Sequence, residues 1–280
     1  MALVGANVAV AKVLSEALPI AVVAFLRCVL ACLVLWPLAR VRDGAGAVPG
    51  RALRLNLALQ AVFGTAIYNA GLLAGLRLTG ALEAGLVLST LPAVVALGAA
   101  AWLRETVPAR VWAAVALAVA AMGAITVART DGAAGDGSAL GNLLVFAGVC
   151  GEAIYVLLAR RIAGRVPVLT ASLWMQAWSA AVLLPFALPG LDAVGALAAS
   201  PGLAGLLLFH SLTASVLCVV LWYAGLRRVP AGVAGLFTAF LPATAAFVAV
   251  SVLGEPFSAL HAAAFGLMGA SLLLAVLARR

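Results

Sequence analysis

The chain has 280 residues, 66% of them hydrophobic and only 9% charged, with a mean hydropathy of +1.22 and a net charge of +8. A soluble domain carries about 25% charged residues, so water is excluded as the main solvent, and the alternating pattern of a membrane β-barrel is not visible. What remains is an all-α polytopic membrane protein, because apolar runs of about 20 residues, each able to cross a ~30 Å hydrocarbon layer as a helix, follow one another along the whole length.

Breaks at charge clusters and at Gly/Pro/Asp runs predict ten spans, at roughly 2–15, 18–38, 54–75, 82–103, 109–129, 140–162, 168–188, 203–226, 231–253 and 259–278. The first is short, has no basic residue before it and matches a signal peptide poorly, so it reads as a retained helix. The stretch "RTDGAAGDGSALGN", residues 129–142, concentrates turn residues between the fifth and sixth spans. It divides the chain into residues 1–130, a linker at 131–139 and residues 140–280, with five helices in each half.

The positions of the charges orient these spans. With the first helix running outward, the cytoplasmic side holds Arg40, Arg42, Arg51, Arg54, Arg104, Arg110, Arg160, Arg161, Arg165, Arg227, Arg228, Arg279 and Arg280. The external side holds Lys12, Arg77 and Arg129, and Arg27 lies within the bilayer. Such a bias places both termini in the cytoplasm of an integral plasma (inner) membrane protein and puts the linker outside. It leaves no excess basic patch for a nucleic acid. Cys28, Cys32, Cys150 and Cys218 fall inside spans as small apolar residues, and no metal or cofactor is expected.

The stretch "AGLRLTGALEAGLVLSTLP", residues 74–92, shares its opening and closing with "AGLRRVPAGVAGLFTAFLP", residues 224–242, at an offset of 150 and without a gap. Extending that register pairs "LPA" at 91–93 with "LPA" at 241–243, Glu105 with Glu255, and Arg129 with Arg279. Five helices is an odd number, so the second copy enters the membrane from the opposite side. The expectation is two inverted five-helix repeats around one midplane site.

The run "GALEAGLVLSTLPAVVALGAAAWLRETVPARVWAAVALAVAAMGAI", its repeat "AGVAGLFTAFLPATAAFVAVSVLGEPFSALHAAAFGLMGASLLL", and the early "GANVAVAK" and "LPIAVVAFLRCVLACLVL" resemble the EamA family of the drug/metabolite transporter superfamily. The resemblance covers nearly the whole chain. It implies a ten-helix secondary transporter of small organic solutes, often an exporter of amino acids or related metabolites.

Several residues in the spans carry chemistry. Pro92 and Pro242, paired across the repeat, each free a carbonyl one turn back and bend a helix, either as a gate or as a packing kink. Gly85, Gly235, Gly266 and Gly269 allow close helix approach. Glu152 is the carboxylate at mid-depth of the sixth span, and Tyr155 shares its face. Glu152 either meets a proton or a substrate ammonium, or pairs permanently with Arg27. His210, with Thr213 on the same side, is either a site residue or is held by a neighbouring carbonyl. Thr65, Tyr68 and Asn69 form a polar stripe, and Asn7 adds an amide in the first span; such groups bridge helices or face a wet cavity. Trp174 and Trp178 read as interface anchors or packing.

The function expected is export or exchange of small amphipathic metabolites, amino acids first, by alternating access. Its partners are a small-molecule substrate, the lipid bilayer and a coupling proton. The alternatives are a passive pore and a nucleotide-sugar or drug-type exchanger. No "GxxxxGK" loop supports an ATP-driven pump. An intramembrane enzyme is not expected, because Asp43, Asp131, Asp136 and Asp192 all lie in loops and no Gly-x-Ser-x-Gly elbow occurs. The topology has a direct check: a single cysteine at Asp136 should label from outside and one at Arg42 from inside, and the reverse pattern would overturn the orientation.

Overall fold

Inside an apolar layer each backbone N–H and C=O must find its partner within the segment, and long runs of Ala, Leu and Val without breakers do so as helices. The computed structural model describes residues 2–44, 48–79, 84, 87–129, 138–240, 244, 247 and 259–277. These residues are almost entirely helical, with no strand among them. Pro242, Glu83, Gly85, Glu255, Asp131, Asp136 and Arg279 lie outside the described residues, as does 131–137 of the linker.

In chain order the elements are α1 (Ala2–Ala17), α2 (Ile20–Arg42), α3 (Arg51–Leu76), α4 (Leu91–Ala101), α5 (Ala109–Arg129), α6 (Ala139–Ile162), α7 (Val168–Ala187), α8 (Pro201–Leu226), α9 (Ala231–Thr238) and α10 (Ala259–Leu277). Among the described residues five stretches are long and apolar enough to cross a membrane: α2, α3, α6, α8 and Val168–Ala199, which begins with α7. The last of these departs from expectation. Beyond α7 the chain continues through a 3-10 segment at Leu188–Val194 and a short helix at Gly195–Ala199, where the sequence suggested a loop.

The offset of 150 reappears in the backbone. α3 and α8 begin and end 150 residues apart. Each is interrupted by a π-helical turn at the same place, Val62–Ile67 in α3 and Ser211–Leu217 in α8. α5 packs along α10, which starts 150 residues later, and α2 packs along α7.

Large apolar side chains point outward, among them Leu33 (67% exposed), Leu273 (65%) and Phe209 (52%), the reverse of a soluble surface. The interior mixes alanines with larger apolar side chains. One cluster joins α4, α5, α9 and α10 through Ala96, Ala114, Ala118, Leu236 and Met268. A second joins α3, α6, α7, α8 and α9 through Leu57, Ala159, Met175, Tyr223 and Ala234.

Polar ties hold the two ends. At the end where α2 finishes and α7 starts, Asp43 Oδ2 accepts the N–H and the Oγ1–H of Thr170, both at 2.8 Å, so a carboxylate caps the donor end of a helix. The Arg40 guanidinium lies 4.3 Å from the Trp36 ring centre, and Arg54 lies 6.0 Å from that of Trp174. These contacts suit an interface belt. At the opposite end Ser138 Oγ accepts the Gly141 N–H (3.0 Å), Ser138 N donates to Leu78 O (3.0 Å), and Thr79 Oγ1 donates to Asn142 Oδ1 (2.7 Å). They fasten the start of α6 to the end of α3.

Glycines bring α3 and α6 into backbone contact, a pair to which the sequence did not point. Gly235 does meet Val95, at 2.8 Å from the place its Cβ would take, but among the described residues nothing lies within 4 Å of a Cβ on Gly266 or Gly269. A Cβ on Gly71 would instead lie 2.6 Å from Leu144 O and 2.8 Å from Gly148 N, and one on Gly75 would lie 2.8 Å from Gly141 O. Backbone thus runs against backbone, as small residues permit between membrane helices. Gly71→Ala should therefore lower the thermal midpoint in detergent, at a cost of about 1–3 kcal/mol for overpacking. Gly205→Ala, with open space around it, should be neutral or stabilising by up to ~1 kcal/mol.

Candidate functional site

Between the two halves lies a cavity of about 820 Å³, within the range of small-molecule sites. The paired elements contribute equivalent positions. Gly64 and Ala214, Tyr68 and Cys218, Asn69 and Val219, and Leu88 and Thr238 all line it, and each pair is separated by 150 residues. The two π-helical turns carry the first of these pairs, and such turns often mark functional sites. Gly64 has a local reason to be glycine, since a Cβ there would sit 2.8 Å from Tyr155 Cγ. Its absence lets the Tyr155 ring lie against the widened turn.

Of the residues singled out from sequence, Arg27, Tyr68, Asn69, Glu152 and Tyr155 all line this one cavity. The permanent pair considered for Glu152 is not formed, because Glu152 and Arg27 make no ion pair. Among the described residues neither side chain has a hydrogen-bonding partner. Asn7 and His210 come together elsewhere. Asn7 Oδ1 lies 2.9 Å from His210 Nδ1 and accepts a bond from Thr213 Oγ1 (2.9 Å), while Asn7 Nδ2 donates to Leu3 O (2.9 Å). This knot fastens α1 to α8, and neither residue lines the cavity. Thr65 is also a bridge, its Oγ1 lying 3.2 Å from Ser179 Oγ, and Asn69 Nδ2 donates back to Thr65 O (2.6 Å).

Pro92 lies in the first turn of α4 rather than inside a bent continuous helix. A break precedes it at Thr90, whose N–H (3.1 Å) and Oγ1 (2.7 Å) both donate to Val87 O. A proline in a first helical turn removes a donor that has no partner there anyway. The corresponding place in the second half is also interrupted, with Thr238 Oγ1 donating to Gly235 O (2.6 Å) and Ala239 N to Leu236 O (3.2 Å).

Other lining residues were not singled out. Met175, Trp222, Phe237 and Phe240 make the wall largely apolar, and Gln176 lines it while donating to Ser215 O (2.5 Å). Among the described residues the buried Trp222 Nε1 has no hydrogen-bond partner. Cys218, Val219 and Thr238 were recoverable from sequence by adding 150 to Tyr68, Asn69 and Leu88. Trp222 and Met175 carry no such signal.

Near Leu226 and Ala234 of the cavity wall, the halves are locked together. Arg104, with φ +54°, turns the chain after α4 and presents Glu105. Glu105 Oε1 accepts from Arg160 Nε (3.2 Å), and its Oε2 accepts the Ala231 N–H at the start of α9 (2.7 Å). Arg160 Nη1 donates to Leu226 O (2.8 Å). One carboxylate therefore joins two segments of the second half to a loop of the first, and Arg160 carries the tie on to a third.

The chain matches the EamA-like transporter family over residues 1–127 and 139–277. It is 31% identical over 263 residues to a Bacillus subtilis (strain 168) protein named "Uncharacterized transporter YetK", an alignment covering 93% of this chain and 79% of that protein. A solved structure described only as "Crystal structure of protein" shares the fold with a TM-score of 0.78 at 19% identity, over 100% of this chain and 95% of that one. The chain is an integral membrane protein and belongs to the EamA-like transporter family.

Proposed function

We propose that the protein is a secondary transporter that exports or exchanges small amphipathic metabolites, amino acids first, by alternating access. In this reading residues 1–130 and 140–280 are inverted five-helix repeats joined by an external linker, with both termini in the cytoplasm of the plasma (inner) membrane. The solute, the bilayer and a coupling proton are its partners, and nucleic acid is not. The observation that carries this reading is the cavity lined from both halves by residues 150 apart. A site built from two like halves has two like ways out.

The Glu105 lock favours a carrier over an open pore, since it joins the halves beside the cavity wall. The wall favours an amphipathic solute over a nucleotide sugar. Among the described residues it offers a single guanidinium against the two charges of a diphosphate, and the rest of their surface is mostly aliphatic and aromatic. Counterflow in proteoliposomes tests the reading: external unlabelled amino acid should drive saturable movement of labelled amino acid, whereas an unsaturable leak would contradict it.

Glu152→Gln separates chemistry from scaffolding. Because Glu152 has no partner among the described residues, the isosteric amide should fold normally, within about 1 kcal/mol of wild type. Counterflow should fall by roughly tenfold or more, equivalent to about 1.4 kcal/mol of lost interaction, and its pH dependence should flatten. A well-folded variant with wild-type flux at every pH would remove Glu152 from the site.

A further inference from the structure

We infer that Arg27 is the anion subsite of the cavity and holds the carboxylate of the solute. The inference rests on reading the cavity as the solute site, but it adds a chemical requirement that this reading lacks. The guanidinium stands seven residues into α2, about 10 Å along the helix from its first residue at 1.5 Å per residue. Arg27 is half-buried and lines the cavity.

The position is held from behind. Ser211 Oγ donates to Arg27 O at 2.7 Å, pinning this turn of α2 to the π-helical turn of α8 that brings Ala214 to the same cavity. The backbone is thereby fixed while the side chain remains uncommitted. Among the described residues no carboxylate, carbonyl or hydroxyl meets the guanidinium. Glu152, the carboxyl that shares the cavity, does not pair with it. His210, next to Ser211, turns its Nδ1 to Asn7 and supplies no negative charge.

A guanidinium keeps its charge where a carboxyl or an imidazole can become neutral. Desolvated and alone it is costly, so the site is completed by an anion that arrives and leaves. Its planar donors match a carboxylate in two parallel hydrogen bonds. The apolar wall formed by Met175, Trp222 and Phe237 then takes the remainder of the solute.

The test uses purified protein in detergent and three probes of similar size: L-leucine, L-leucinamide, which lacks the carboxylate, and 4-methylpentanoate, which lacks the ammonium. Sodium chloride at equal concentration is the control. Thermal midpoints are read for wild type, Arg27→Gln, Arg27→Lys and Glu152→Gln. Both carboxylate probes should raise the wild-type midpoint above the chloride control, and leucinamide should raise it less than leucine does. Arg27→Gln should lose carboxylate affinity by on the order of ten- to a hundredfold, and Arg27→Lys should retain part of it. Glu152→Gln should keep the response to 4-methylpentanoate.

Without probe, Arg27→Gln should melt no lower than wild type, because it leaves no protein partner orphaned. A large drop there would make Arg27 scaffolding and overturn the inference. So would equal stabilisation by chloride, no carboxylate shift in the wild type, or a shift unchanged in Arg27→Gln. Counterflow in the wild type without a carboxylate requirement would leave the carrier standing and end the Arg27 assignment. A carboxylate shift that depends on Arg27, without counterflow, would keep the subsite and end the carrier reading.

Discussion

Polar groups inside an apolar layer must be met by something, and the arrangement of this molecule follows from how it meets them. Most find a partner in the protein. Tyr223 donates to Gln60 (2.6 Å), and Gln60 to Asn56 (2.6 Å), so α8 is tied to α3 by a line of side chains. Ser271 donates to Ala114 O (2.7 Å) and joins α10 to α5. The Asn7 knot joins α1 to α8. Among the described residues Arg27, Glu152 and the Trp222 indole N–H are not met in this way, and all three residues line the same cavity. Two further buried groups, Trp178 Nε1 and Ser215 Oγ, also lack a partner among the described residues and lie outside the cavity lining.

The cavity exists because the helices pack tightly elsewhere and break locally beside it. Glycine against backbone draws α3 and α6 together near Gly71, Gly75, Gly141 and Gly148. The same α3 widens into its π-helical turn at Val62–Ile67, and α8 does so at Ser211–Leu217. Tightness supplies dispersion contacts that replace a hydrophobic drive between helices already in lipid. The breaks leave room at the level of Tyr68 and Cys218 without opening the packed ends. Asp43 on Thr170, Glu105 on Ala231 and Ser138 against Leu78 are each a polar tie across a helix end, where hydrogen-bond donors and acceptors are otherwise spare.

Much of this was legible in the sequence, for a physical reason. Span positions follow from hydropathy, and bounds such as 109–129 and 168–187 agree with expectation because charges and prolines stop helices locally. The offset of 150, read from Pro, Glu and Arg matches, reappears in α3 and α8 and in the cavity lining. Arg27, Tyr68, Asn69, Glu152 and Tyr155 stood out because a polar side chain is conspicuous in an apolar span. That signal could not separate a cavity residue from a bridge, since both are polar and buried. Asn7, Thr65 and His210 are held by other helices, a relation that depends on tertiary packing. Trp222, Met175 and Phe237 look like ordinary membrane residues, so only the fold shows which face they present. The α3–α6 contact was hidden for a like reason, as a glycine records close approach only once its opposite helix is known.

In the alternating-access cycle proposed above, the two halves separate at the Glu105 end on each turnover. Val107 and Gly232 face each other beside that lock, with Val107 Cγ2 3.5 Å from the place a Gly232 Cβ would take, so cysteines at the two positions are neighbours across the halves. The direct measurement is counterflow through a Val107→Cys/Gly232→Cys variant, oxidised and then reduced, beside wild type under the same oxidant. Oxidation should stop counterflow in the variant alone, and reduction should restore it. Wild-type counterflow with the bridge fully formed would contradict that separation of the halves.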